Sequence, residues 1–115
     1  MTITFPQTAS TYVEAKNRHD TAGMLATFAP EAIVYDDGGT YRGTAAIGGW
    51  IEQTTTDYHV TLAVTGLTQE GREVAMTALV SGDFDGSPAP FTYLFTLTDD
   101  RANGQIAALT IRYDG

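Results

Sequence analysis

Asp36 stands where a carboxylate could act as a base. It closes the short apolar run Ala32-Ile33-Val34-Tyr35 and precedes the turn-forming stretch Asp37-Gly38-Gly39. Alternation along a strand puts Ala32, Val34 and Asp36 on one face. If that face looks inward, the carboxylate sits at the rim of an apolar cavity and loses part of its water. Its charged form is then disfavoured, and its pKa rises toward the range useful for a general base. An aspartate beside glycine more often just opens a solvated turn, so position alone leaves both roles standing.

The other polar residues carry plainer readings. Arg42, before Gly43, is close enough in sequence to pair with Asp36 or Asp37, and an Asp-Arg pair is one way to hold a hydrolytic water; a structural partner of the turn is the simpler role. His19 falls in an interhelix loop, and His59 begins a strand on its threonine side. The two are far apart in sequence and make no spaced metal-binding motif. Asp83 and Asp85 flank Phe84 near a turn, where solvated acids are ordinary. With no cysteine there are no disulfides, thiol nucleophiles or thiolate metal sites.

A chain of 115 residues suits a single domain, 1–115. Its 43% hydrophobic and 17% charged residues favour a packed core over disorder. Fourteen acidic against six basic side chains give a net charge of -8, spread without a block. Such a surface repels phosphate backbones, so nucleic acid is not the expected partner, nor is anionic membrane; a neutral or weakly acidic organic molecule is the easier ligand. The opening Met1-Thr2-Ile3-Thr4-Phe5-Pro6 lacks a basic region and a long apolar core, and no run approaches the ~20 apolar residues a spanning helix needs. A cytoplasmic protein is the expectation.

The first half reads as helical. Pro6 suits a first turn, and Ala9, Tyr12, Val13 and Lys16 recur at helix spacing, the lysine stem lying along apolar surface. Asp20 is a plausible N-cap for a short helix carrying Met24, Leu25 and Phe28, which Pro30 ends. The Asp36 strand follows, then Thr40-Tyr41-Arg42 as a second strand. Thr44 reads as the cap of a third helix bearing Ile47, Trp50 and Ile51, weakened by Gly48-Gly49 at about 1 kcal/mol per glycine relative to alanine. From Tyr58 onward the period becomes that of strands, with Val60, Leu62 and Val64 alternating against His59, Thr61, Ala63 and Thr65. Runs over 73–84, 91–98 and 105–113 follow, joined by Asp85-Gly86-Ser87-Pro88 and by the stretch 99–104.

These runs predict an α+β domain with helices on one face of an antiparallel sheet. Phe91, Tyr93, Phe95 and Leu97 share one side, as do Leu109, Ile111 and Tyr113, and this bulkier set should face the helices. The opposite face, rich in threonine and other small residues, is suited to symmetric pairing, so a homodimer through the sheet is expected.

The quoted residues resemble the SnoaL-like polyketide cyclases and ketosteroid isomerases of the nuclear transport factor 2-like superfamily. The carrying features are Tyr12-Val13 with Asn17 and Asp20, Phe28-Ala29-Pro30-Glu31-Ala32, Val34-Tyr35-Asp36, and Arg42-Gly43-Thr44-Ala45-Ala46-Ile47. The resemblance is strong over the first fifty residues or so and one of pattern and length thereafter. It implies a cone in which about three N-terminal helices pack on a strongly curved, mostly antiparallel mixed sheet, with a ligand entering the open end. In the isomerase branch the carboxylate ending the first strand moves a proton next to a carbonyl, and Asp36 matches it. A tyrosine on the first helix there donates to the enolate oxygen, and Tyr12 matches it. Oriented donors of this kind can be worth several kcal/mol in a dry site. A protonated acid on the penultimate strand shares that role in the isomerases; the matching place here holds Tyr93, whose neutral phenol can donate but reaches further. The cavity must then be reshaped, and a steroid substrate becomes doubtful.

The catalytic candidates are thus Asp36, Tyr12 and Tyr93. Candidates for contacting substrate are Met24, Phe28, Val34 and Tyr41, with Trp50, Phe95, Leu109 and Tyr113. Tyr41 and Trp50 suit a cavity mouth, though large aromatics at such spacing are commonly core. The resemblance implies no cofactor and a hydrophobic carbonyl compound as substrate of an isomerase, cyclase or lyase. A non-catalytic ligand-binding or dimerisation module of the same fold is the alternative, because fold does not fix function.

Overall fold

The computed structural model describes residues 7–36, 38–99 and 104–114. Pro6, Asp37 and the 100–103 part of the last turn, all singled out in the sequence, lie outside them. Three helices, α1 (Gln7–Asn17), α2 (Thr21–Leu25) and α3 (Gly43–Tyr58), accompany six strands. The strands are β1 (Phe28–Asp36), β2 (Gly39–Arg42), β3 (Thr61–Glu70), β4 (Glu73–Ser81), β5 (Ala89–Leu97) and β6 (Ile106–Tyr113).

The helix α1 forms because Ala9, Tyr12, Ala15 and Lys16 make one buried stripe at helical spacing. Its end is tied to β3 by the Asn17 amide, whose Nδ2 donates to the Leu62 carbonyl at 3.0 Å and whose Oδ1 accepts from the Leu62 N–H at 2.7 Å. Asp20 caps α2 as expected, its Oδ1 accepting from the Gly23 N–H at 3.0 Å. The helix stops at Leu25, however, and Phe28 is not on it: Phe28 opens β1, opposite Ile106. Pro30 therefore lies inside β1 and does not end α2. Pairing of β1 with β6 shifts register between Phe28 and Ile33, an irregularity in which a residue without an N–H is tolerated.

Two further boundaries differ from the sequence reading. The cap position of α3 is Arg42, in extended conformation and with no side-chain cap bond, so Thr44 lies within the helix. At the other end, α3 runs on to Tyr58, and His59 is its left-handed C-cap (φ 49°), with its N–H bonded to the Thr55 carbonyl at 3.1 Å. His59 therefore precedes β3 and is not part of it. The β-branched run Thr54-Thr55-Thr56 disguised this last turn, while the burial of Ile47, Trp50 and Ile51 holds it in place.

The strand order is β2-β1-β6-β5-β4-β3. β3 to β6 form an antiparallel meander, β1 joins β6 in parallel, and β2 folds back antiparallel on β1. This is the expected α+β cone on a mixed, mostly antiparallel sheet. The inner face buries Val74, Met76, Ala78 and Val80 of β4 against Tyr93, Phe95 and Leu97 of β5 and Leu109 of β6, with Tyr12, Met24, Phe28, Ile47 and Ile51 completing the core. On the outer face Leu79 and Leu94 are exposed, Leu94 standing between Ala75 and Thr110, and Tyr35 is exposed on β1. No helix among the described residues is long and apolar enough to cross a membrane.

Candidate functional site

Asp36 sits where the alternation put it. Ala32 and Val34 are completely buried, Tyr35 is exposed, and Asp36 is half-buried at the end of the inward face of β1. It lines a cavity of about 440 Å³, a size suited to a small organic ligand. Lys16 from α1, Trp50 and Thr54 from α3, Phe91 and Tyr93 from β5, and Ile111 and Tyr113 from β6 share the wall. The helices supply one side and the inner face of the meander supplies the other.

The carboxylate is held by α3. Trp50 Nε1 donates to Asp36 Oδ2 at 3.0 Å, so the indole is both a wall and an orienting donor. Trp50 is in turn backed by Tyr41, with ring centroids 6.0 Å apart. Arg42 is directed elsewhere: it pairs in register with Ile33, a residue of the opposite face of β1 from Asp36, and it is exposed. Residues directly opposite in a ladder share a face, so this placement does not form the Asp36-Arg42 pair a hydrolytic reading would need.

Two phenols lie near the acid. Tyr93 is on the cavity wall and Tyr12 stands behind it, with ring centroids 6.4 Å apart. Tyr12 packs edge-on against Phe28 and Phe95 and is completely buried, and its hydroxyl has no hydrogen-bond partner among the described residues. Burial raises the Tyr12 pKa well above the ordinary phenol value, and the neighbouring Tyr93 and then Asp36 raise it further. Burial, reinforced by the charge of Asp36, likewise raises that of Tyr93. Both phenols therefore stay protonated at neutral pH and keep a proton to donate.

Of the remaining residues singled out in the sequence, Trp50 and Tyr113 line the cavity, and Tyr41 supports Trp50 from behind. Met24, Phe28, Val34, Phe95 and Leu109 are all buried in the core. The fold also brings His19 and His59 together, rings 6.0 Å apart and edge-on, with His59 Nδ1 2.9 Å from Asp83 Oδ2; this cluster is exposed.

Lys16, whose stem is expected to lie along apolar surface, also carries its head into the site. It is buried, its Nζ lies 5.9 Å from the Tyr12 ring centroid and 6.0 Å from that of Trp50, and it shares the cavity wall with Asp36. Burial lowers its pKa from 10.5 to about 8, against the charge of Asp36, which pulls it upward. A signal was present: Lys16 is the sole lysine in the sequence, and it stands one helical turn after Tyr12 on the apolar face of α1.

Helices over a bent sheet, with a half-buried acid and phenols in the throat, define a small-molecule pocket fold. The chain belongs to the SnoaL-like domain family, whose profile matches residues 9–109. It is similar to the crystal structure of a candidate polyketide cyclase from Sinorhizobium meliloti, at 34% identity over 94% of this chain and 95% of that one, with a TM-score of 0.86. A candidate polyketide cyclase from Xanthomonas campestris pv. campestris is 27% identical, with 93% and 87% covered and a TM-score of 0.74. A protein of ketosteroid isomerase-like fold from Catenulispora acidiphila, solved in complex with trimethylamine, shares the fold at 21% identity, with 96% and 87% covered and a TM-score of 0.82. No curated protein matches the sequence significantly.

Proposed function

We propose that the protein is a cofactor-independent enzyme that moves a proton next to the carbonyl of a hydrophobic substrate, in an isomerisation, an aldol-type cyclisation or a related lyase step. The observation that carries this reading is the placement of Asp36. The carboxylate lies on the inward face of β1, is held by the Trp50 indole, and shares one cavity wall with Tyr93. Asp36 takes the proton from the carbon next to the carbonyl, and Tyr93 donates to the oxygen that becomes an enolate. Tyr12 stands behind Tyr93 and does not line the cavity, so the donor role toward a bound substrate falls to Tyr93. Apolar walls from Phe91, Ile111 and Trp50 suit a greasy substrate, and the candidate cyclases similar to this chain favour a polyketide-like one.

The test is exchange of carbonyl-adjacent hydrogens for deuterium, followed by NMR on a panel of apolar ketones and β,γ-enones. Catalysed exchange with saturation is expected. Saturable binding with no exchange for any probe would instead make the protein a ligand-binding module, and absence of both would remove the reading altogether.

The outer sheet face supports a homodimer as the working form, since Leu79 and Leu94 are exposed there among small residues and threonines. Replacing Leu94 with Glu is expected to convert a dimer to a monomer in sedimentation velocity without altering proton exchange, because Leu94 points away from the cavity. A wild-type protein that sediments as a monomer at tens of micromolar would remove the dimer.

A further inference from the structure

A buried lysine is an expensive feature, and the proton-transfer chemistry above does not use it. Lys16 is buried, its head lies near two aromatic faces, and it lines the same cavity as Asp36 and Tyr93. An ammonium needed only for solubility or surface charge would be outside; the other five basic residues of the chain are all arginines. Two roles remain for an amine in an apolar chamber, that of a fixed cation and that of a nucleophile.

We propose that Lys16 is a nucleophilic amine that forms a Schiff base with an aldehyde or ketone bound in this cavity, so that the protein can run enamine chemistry on small apolar carbonyl compounds. The proposal rests on the reading that the cavity takes a carbonyl compound, and it adds the group that reacts with it covalently. Geometry is the first argument: the amine, a carboxylate and a phenol line one cavity of about 440 Å³. The second is reactivity. A lysine of pKa about 8 has a useful neutral fraction near neutral pH, whereas an ordinary lysine has almost none.

The step balances without a co-reactant. The ammonium gives up one proton, and the neutral Nζ forms a bond to the carbonyl carbon as the C=O π pair moves to oxygen. That oxygen takes a proton from the newly bonded nitrogen, giving a neutral carbinolamine. A further proton then lets the hydroxyl leave as water while the nitrogen lone pair forms C=N. Overall one ammonium and one carbonyl become one iminium, one water and no net change of charge. The carboxylate of Asp36 then removes a proton from the neighbouring carbon, and the C–H pair forms C=C as the C=N π pair moves to nitrogen, leaving an enamine. Reprotonation or attack on a second carbonyl, followed by hydrolysis, regenerates the amine.

Borohydride trapping tests it. Native protein is incubated with benzaldehyde, which has no proton for Asp36 to remove, and with an apolar methyl ketone, and then reduced with cyanoborohydride and mapped by peptide mass spectrometry. The expected result is an adduct with the mass of the probe less one oxygen on Lys16, with a yield rising with pH to half its maximum near the lysine pKa of about 8. The adduct is expected to be absent from Lys16→Met and Lys16→Arg and to survive in Asp36→Asn. Because Lys16 is the sole lysine, the terminal α-amine is the only other primary amine to be distinguished. An adduct confined to the α-amine, or a Lys16 adduct that forms no faster in the folded protein than in the urea-unfolded one, overturns the proposal. So does hydrogen exchange at wild-type rate in both Lys16 variants on every ketone tested. Trapping of benzaldehyde without any catalysed hydrogen exchange upholds Lys16 and sinks only the proton-transfer reading of Asp36.

Discussion

Asp36→Asn is expected to lower catalysed proton exchange by about 10²- to 10⁴-fold, the range typical of removing a positioned general base. The substitution suits the question because of what it leaves intact. The asparagine Oδ1 can still accept from Trp50 Nε1, which now donates to the Asp36 carboxylate at 3.0 Å, so the indole and the local packing have no reason to move. The amide cannot take up a proton, so the base is lost while the hydrogen bond to Trp50 is kept. Unchanged unfolding by urea beside a lost rate would locate the effect in catalysis. A loss smaller than about 10-fold, with the fold verified, would mean that Asp36 is not the base. The same variant alters its neighbour in a known direction. The charge of Asp36 raises the Lys16 pKa, so its removal should lower that pKa further below about 8 and make the amine more available at neutral pH.

The elements were legible wherever the pattern was local. Asp20 capping α2, the buried stripe of α1 and the alternation of β5 and β6 each depend on neighbours within a few residues. The errors arose where a distant partner decides the conformation. Phe28 looks like the next residue on the apolar face of α2, but it is claimed by β6 through its pairing with Ile106, and Pro30 follows it into the strand. His59 looks like the start of an alternating strand, yet the packing of α3 carries the helix as far as Tyr58. For the site, the face of Asp36 followed from a period of two. That Trp50 would hold it did not, since the bond joins residues whose |i−j| is 14 and which lie on different elements. Helical spacing gives the face of Lys16 but not the place of its head. Whether such a side chain ends in water or in a chamber depends on how far the sheet extends beneath it, which sequence spacing does not contain.

Lys16→Met is expected to stabilise the protein near pH 7 by about 1–3 kcal/mol, which for a domain of this size raises the midpoint of thermal unfolding by several degrees. Lowering the lysine pKa from 10.5 to about 8 corresponds to roughly 3 kcal/mol at 1.36 kcal/mol per pKa unit. Contacts of the ammonium with the Tyr12 and Trp50 rings offset part of this. The sign follows from the proton count. Below pH 8 the lysine is charged in both states, and the fold carries the whole cost of burying it. Between about 8 and 10.5 the unfolded chain binds more protons than the folded one, so wild-type stability gains with pH relative to the methionine variant. The difference between the two proteins should therefore shrink across that window and vanish above it, which urea unfolding of both at pH 7, 9 and 10.5 will measure. Methionine is flexible and of similar length, so a cavity is not expected to obscure the comparison. A variant less stable than wild type at pH 7 would mean that the ammonium is held by favourable contacts, as a fixed cation would be. A more stable variant would mean that the chain keeps a destabilising amine in its cavity, which packing does not explain and reaction with a carbonyl compound does.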